Sequence, residues 1–211
     1  MLIDHTAITQ LERIYRLNLI NSITGIKPAN LIGSISASGT TNLAIFSSVV
    51  HLGSDPALLG MMLRPVGAIR RDTYENIRET GVYTINHVTP SIIERAHYTS
   101  AKFPSEISEF DACDLTEEYL SGFAAPFVAE SPIKIGMKFE EEIPIKLNGT
   151  SLLVGSIQLI SAPDAANENG HLDLERSQAV GISGLNSYYT LQKKAQFPYA
   201  KAKQTPEFRS R

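Results

Sequence analysis

Two short strings concentrate the chemistry of this chain. Asn42-Leu43-Ala44-Ile45-Phe46-Ser47-Ser48 sets one carboxamide and two neighbouring hydroxyls among apolar residues. Such side chains compete with a sheet ladder for backbone hydrogen bonds, so a strand that keeps them gains something else in return. Adjacent hydroxyls beside free amides cradle a phosphate, and the small Ala44 lets a planar ring approach the main chain. The second string, Arg70-Arg71-Asp72-Thr73, places two guanidinium groups and a hydroxyl where a capped helix would open. Helix starts carry partial positive charge and unsatisfied amides, and an arginine fork grips phosphate oxygens in pairs. Ser47, Ser48, Arg71 and Thr73 form one anion site if the strand and the helix after it are neighbours. Taken singly, the serines also read as a plain strand end and Asp72 as an ordinary cap.

Other chemistries lack their residues. There is no Walker-type glycine loop, no dinucleotide fingerprint of spaced glycines and no Gly-x-Ser-x-Gly elbow. His5, His51, His87, His97 and His171 include no pair four residues apart, which leaves no helical metal pair. The single Cys113 allows no internal disulfide and reads as a small semi-buried filler. No metal site is expected.

The elements that must position these groups follow from pattern. Ile8, Leu11, Ile14 and Tyr15 recur at helical steps, with Thr6 or Thr9 as a cap and an end before Gly25. Strands are expected at 30–35, 42–52 and 58–63, with a turn centred on Gly39. Asp72-Thr73-Tyr74-Glu75 resembles a capping box, and Gly81 stands where a left-handed residue would stop that helix. A strand at 82–87 and a helix opening at Thr89-Pro90 come next. Residues 99–132 look irregular, and a connection of that length usually serves as a lid or binding loop. Ile133, Ile135, Met137 and Phe139 then alternate with polar or small residues, and Asn148-Gly149 marks a type I′ hairpin. About seven strands and three short helices, with no βαβ alternation, predict a mainly β chain folded as a small antiparallel barrel.

Composition agrees with one globular unit. Of 211 residues 43% are apolar and 19% charged, enough for a single sizeable core. The longest apolar stretch, 57–63, is far too short to span a bilayer, and residues 1–6 lack a signal-peptide pattern, so a cytoplasmic protein without membrane contact is expected. Six of the 19 basic residues but one of the 22 acidic ones fall in 193–211. The body is therefore acidic, which argues against nucleic acid as a partner. Residues 1–192 are read as one domain and 193–211 as a basic tail or an arm for a partner subunit.

The order Pro28, Ser34, Asn42-Leu43-Ala44-x-Phe46-Ser47, Asp55-Pro56, Arg71-Asp72-Thr73 and Asn76-Ile77, with Gly181-x-x-Gly184-x-x-x-Tyr188 near the end, is similar to flavin reductase-like proteins, a group that includes flavoredoxin. The resemblance spans roughly residues 25–190 and implies an FMN-binding split barrel of Greek-key type. It implies that Asn42 and Ala44 face the isoalloxazine through backbone groups, within a string that also holds Leu43 and Phe46. Ser34 would stand beside the ring, where the family usually has Thr. Ser47, Ser48, Arg71 and Thr73 would hold the phosphate, and Arg70, Asp72 and Asn76 would belong to the same cofactor site. Ser100-Ala101-Lys102-Phe103, leading to Glu109-Phe110, would cover the flavin edge. Ile45 replaces a common proline, and Arg70-Arg71 replaces a single Lys, exchanging a point charge for a planar fork.

Such proteins are typically homodimers with flavin in the interface. The activity implied is hydride transfer from NAD(P)H to flavin N5, with no side chain assigned as acid or base. The alternative is a flavin carrier or electron-transfer module reduced by another protein.

Overall fold

The computed structural model describes residues 1–65 and 71–208. Two helices open the chain, α1 (His5–Gln10) and α2 (Arg13–Ser22). The expected single helix is split because Leu11 adopts an extended ψ of 143°; Asp4 and Glu12, not Thr6 or Thr9, cap the two pieces through their carboxylates. Strands β1 (Lys27–Pro28), β2 (Asn30–Ile35), β3 (Thr41–Phe46), β4 (Val49–Ser54) and β5 (Ala57–Leu63) follow. Gly39, at φ 91°, turns β2 into β3, and the Asp55–Pro56 bond at the β4–β5 turn is cis. One strand was expected over 42–52; the chain breaks it at Ser47-Ser48, whose side chains suit a bend better than a ladder.

Helix α3 (Asp72–Thr80) ends on left-handed Gly81 and leads into β6 (Val82–His87). A 3₁₀ turn at Pro90–Ile92 runs into α4 (Ile93–Tyr98), and the irregular stretch holds α5 (Glu109–Ala112), β7 (Glu117–Glu118) and β8 (Phe127–Val128). The long hairpin β9 (Lys134–Ile145) and β10 (Thr150–Ser161) follows. Its loop is not type I′: Gly149 is left-handed but Asn148 is not, and the Gly149 amide closes a wider turn on the Ile145 carbonyl. β11 (Asn167–Glu168) pairs with β12 (His171–Leu172), and β13 (Val180–Ser183) lies between β1 and β14 (Ser187–Thr190) in a three-stranded sheet, which completes the described strands. Two helices beyond the expected three appear, the extra half of the first and the one-turn α5.

Seven strands form one antiparallel sheet in the order β3-β2-β6-β9-β10-β5-β4. The two edge strands, β3 and β4, are joined by only Ser47 and Ser48. A flat sheet of seven strands is roughly 29 Å wide, whereas the link from Phe46 to Val49 reaches about 10 Å at most. The sheet must therefore roll until its edges nearly meet, which is a split barrel.

Alternation along the strands sorts the core into two clusters. Inside the barrel lie Ile32, Met61, Tyr83, Ile85, Met137 and Leu153, with Ile77 of α3 joining them. On the outer face Leu31, Leu43, Val88 and Val180 pack with Ile92 and Ala96 from the α4 region, Phe110 of α5 and the buried Cys113. Gly33 has to be small, because a Cβ there would lie 2.2 Å from the Pro126 carbonyl. Lys134, placed outward by the alternation, is instead buried and paired with Glu118.

Candidate functional site

The two strings meet where α3 crosses the barrel. Ser34 and Asn42 face each other across β2 and β3. Asn42 Nδ2 donates to Thr73 Oγ1 at 3.0 Å and to Ser34 Oγ at 3.4 Å, and Asn76 Nδ2 donates to the same Ser34 oxygen at 3.2 Å. All four side chains are buried. Buried polar groups keep hydrogen-bond partners, and here those partners come from three different elements. The cluster thus fixes the start of α3 against β2 and β3.

The helix start carries no side-chain cap among the described residues. Arg71, not Asp72, is the N-cap residue, and it makes no side-chain cap bond. Asp72 becomes the first helical residue because the chain is still extended at Arg71, φ −122° and ψ 91°. Arg71 is exposed, and its guanidinium has no ion pair or hydrogen bond among the described residues. First-turn amides and an exposed guanidinium at the start of a nine-residue helix are groups of the kind that take an anion. Arg70 lies outside the described residues.

The serines stand apart from this helix start. Ser48 Oγ donates to the Met62 carbonyl at 2.9 Å, and Ser47 has no side-chain partner among the described residues. Asn42 and Ser47 are five residues apart on the β3 path, roughly 16 Å in an extended chain. Thr73 is at the Asn42 end, so a ligand touching both Thr73 and the serines has to lie along the strand.

Backbone orientation on β3 differs from the expected one. The Leu43 amide donates to Glu109 Oε2 at 2.9 Å, so it points off the sheet edge. Successive amides alternate sides, which turns those of Asn42 and Ala44 into the ladder with β2 and leaves Leu43 and Ile45 facing outwards. Asn42 therefore offers its side chain, and Ala44 its small size, while the outward main chain belongs to their neighbours. The Leu43 and Phe46 side chains are engaged in core packing, the first in the outer cluster and the second against the barrel interior.

Between β3, α3 and the segment before α5 runs a cleft of about 270 Å³. Ser36, Thr41, Asn42, Asp72 and Asn76 line one side, and 104–107 with Glu109 line the other. Glu109 is only 8% exposed. Burial pushes its carboxyl above the usual range, against the lowering effect of the Leu43 amide and its own, and nearby Asp72 pushes it further up. Thr41 Oγ1 also meets Ser108 Oγ at 2.7 Å and donates to Glu117 Oε1 at 2.6 Å, which ties the 108–117 segment to the β3 edge.

Ser100, Ala101 and Lys102 do not line the cleft. They are exposed in the turn after α4, where Ser100 Oγ donates to the His97 carbonyl at 2.7 Å. Phe103 packs on the outer core, and the cleft wall begins at Pro104. The cover expected from sequence runs from Ser100 to Glu109-Phe110; of the residues named there Glu109 lines the cleft, and its bond to the Leu43 amide was not foreseen. An isolated acid in a segment without periodicity has no pattern to mark it, although Glu109-Phe110, an acid beside a core aromatic, was a usable sign. His97 Nδ1 lies 3.0 Å from the Tyr188 hydroxyl, away from the cleft lining.

A seven-stranded sheet rolled into a split barrel, with a polar cleft between one edge strand and α3, defines the class of small split β-barrels. The profile of the flavin reductase-like domain matches residues 26–180, and the chain belongs to that family. A split-barrel protein of Shewanella frigidimarina, assigned as a flavin reductase, is 48% identical; the match covers 95% of this chain and 100% of that one, with a TM-score of 0.91. Nitrilotriacetate monooxygenase component B from Bacillus cereus shares the fold at 19% identity, covering 93% and 98% of the two chains with a TM-score of 0.82. Flavoredoxin of Desulfovibrio vulgaris does so at 20% identity, 85% and 93% coverage and a TM-score of 0.72. Membership assigns the chain to flavin chemistry.

Proposed function

We propose that this protein binds FMN along β3 and acts as an NAD(P)H-dependent flavin reductase or closely related oxidoreductase. The observation that carries the reading is the buried Ser34–Asn42–Asn76–Thr73 cluster. It locks an uncapped helix start and a disengaged Arg71 beside a sheet edge with outward amides. These features fit a mononucleotide, because the anionic end meets a helix dipole and a guanidinium while the neutral end meets main-chain donors.

When bound, flavin supplies the hydride chemistry through its own ring. The chain contributes position and electrostatics. Arg71 and the first-turn amides of α3 hold the phosphate, and the amide of Ile45 is an outward donor for a ring oxygen. No acid or base side chain is required. The family relationship and the names of the split-barrel neighbours support an oxidoreductase assignment.

The described surface also supports a homodimer. Neither α1 nor α2 has a buried residue, and Ile14, Tyr15, Ile20, Ile23 and Ile26 are exposed around them. Helices this short do not persist alone in water, so a second copy is the natural cover. Mixing FMN-loaded protein anaerobically with NADH or NADPH tests the activity. The flavin absorption near 450 nm is expected to bleach on the order of seconds or faster, as typical enzyme turnover requires. A spectrum that nicotinamides leave unchanged, but that a reduced protein bleaches, selects the electron-transfer alternative.

A further inference from the structure

Glu109 is a buried carboxylate fastened by one oxygen to the main chain of the sheet edge, yet it forms part of a cleft wall. An ionised carboxylate only accepts hydrogen bonds and has about four lone-pair sites. Two backbone donors, Leu43 and its own amide, occupy part of that capacity. The cleft wall it belongs to is mainly hydroxyls and carboxamides, with the carboxylates of Asp72 and Glu106 and the apolar Pro104 and Ile107 beside them. At about 270 Å³ the space is smaller than pockets that enclose whole drug-sized molecules, typically about 300–1,000 Å³. Its polar lining offers poor faces for a tricyclic ring and good partners for a chain of hydroxyl groups. Asn42 and Asn76 already spend amide hydrogens on Thr73 and Ser34, so their carbonyl oxygens add acceptors to the same region.

Resting on the flavin reading above, we propose that Glu109 recognises the polyol chain of the ligand, accepting hydrogen bonds from ribityl hydroxyls while the Leu43 amide fixes its carboxylate. The cleft between β3, α3 and α5 is the polyol subsite. Glu109 is then a specificity-determining residue that separates flavins with a hydroxylated side chain from those without one. The short helix α5 serves to carry this group, and Phe110, buried in the outer core, anchors it.

The test compares FMN, riboflavin and lumiflavin, which lacks the polyol, by fluorescence titration of the wild-type chain and of Glu109→Gln. The variant is expected to lose about ten- to a hundredfold in affinity for FMN and riboflavin and nothing for lumiflavin. A second comparison needs no folded variant. On the wild-type protein, an FMN analogue with an unhydroxylated alkyl phosphate chain should bind at least tenfold more weakly than FMN. Equal losses for all three flavins, or an alkyl phosphate analogue that binds as well as FMN, overturn the assignment. A wild-type chain that takes up FMN but handles Glu109→Gln identically overturns it as well. A wild-type chain that binds none of these flavins overturns the flavin reading, and the subsite with it.

Discussion

Arg71 stands out at the residue scale because its neighbours leave it unused. A guanidinium at a helix start, exposed and without a partner among the described residues, contributes little to folding and is available to a phosphate. Arg71→Ala is expected to weaken FMN binding by about 1.5–3 kcal/mol, the range of charge-assisted hydrogen bonds, and to leave riboflavin affinity nearly unchanged. Titrating both flavins against both proteins checks this, and equal losses would move the phosphate elsewhere. His87 gives a different kind of test. Burial on β6 holds its imidazole down to about 4, against an unfolded value near 6.5. The fold accommodates the neutral ring, so this contribution is complete above about pH 6.5 and drains away as pH falls towards 4. The loss approaches about 3 kcal/mol at the acid end. Urea midpoints between pH 7 and pH 4.5 should therefore fall in the wild type and fall less in His87→Gln; parallel slopes would contradict the assignment.

At the scale of elements, the junction of β2, β3 and α3 is the part on which the site depends. Ser34 Oγ accepts from two buried amides, and Ser34→Ala would leave the Asn76 donor without its partner. A loss of about 1–3 kcal/mol is expected, read as a lower urea midpoint at unchanged m-value. An unchanged midpoint would show that the cluster does not hold α3. Much of this junction was legible in the sequence, because Asn and Ser inside an apolar strand, and a Thr one residue into a helix, are costly placements that imply partners. The turns at Gly39 and Gly81 were equally readable from glycine's tolerance of positive φ. The break at Ser47-Ser48 was only one of two readings, since the serines suit a strand end while their apolar flanks continue the strand pattern on both sides. The outward direction of the Leu43 amide was hidden, because residue types do not say which side of a ladder an amide takes. Lys134 shows the limit of alternation: a charged residue can be drawn inside when a carboxylate from a distant short strand meets it.

For the whole molecule, rolling the sheet brings its edge strands β3 and β4 together, and helices α1 and α2 stay without a buried residue. The chain is expected to elute as a dimer of about twice its 23.1 kDa mass. Replacing both Ile14 and Ile20 by Glu should halve that mass by placing charge in an apolar contact. Light scattering decides this, and a wild-type monomer at micromolar concentration would remove the dimer. The central claim is that the chain binds a flavin mononucleotide at the junction of β3 and α3, and its most direct measurement is the visible spectrum of protein incubated with FMN and then desalted. The account predicts a yellow protein retaining about one flavin per chain, with absorption bands shifted and fluorescence altered from the free dye. A colourless protein, with all of the FMN recovered in the small-molecule fraction, would contradict it.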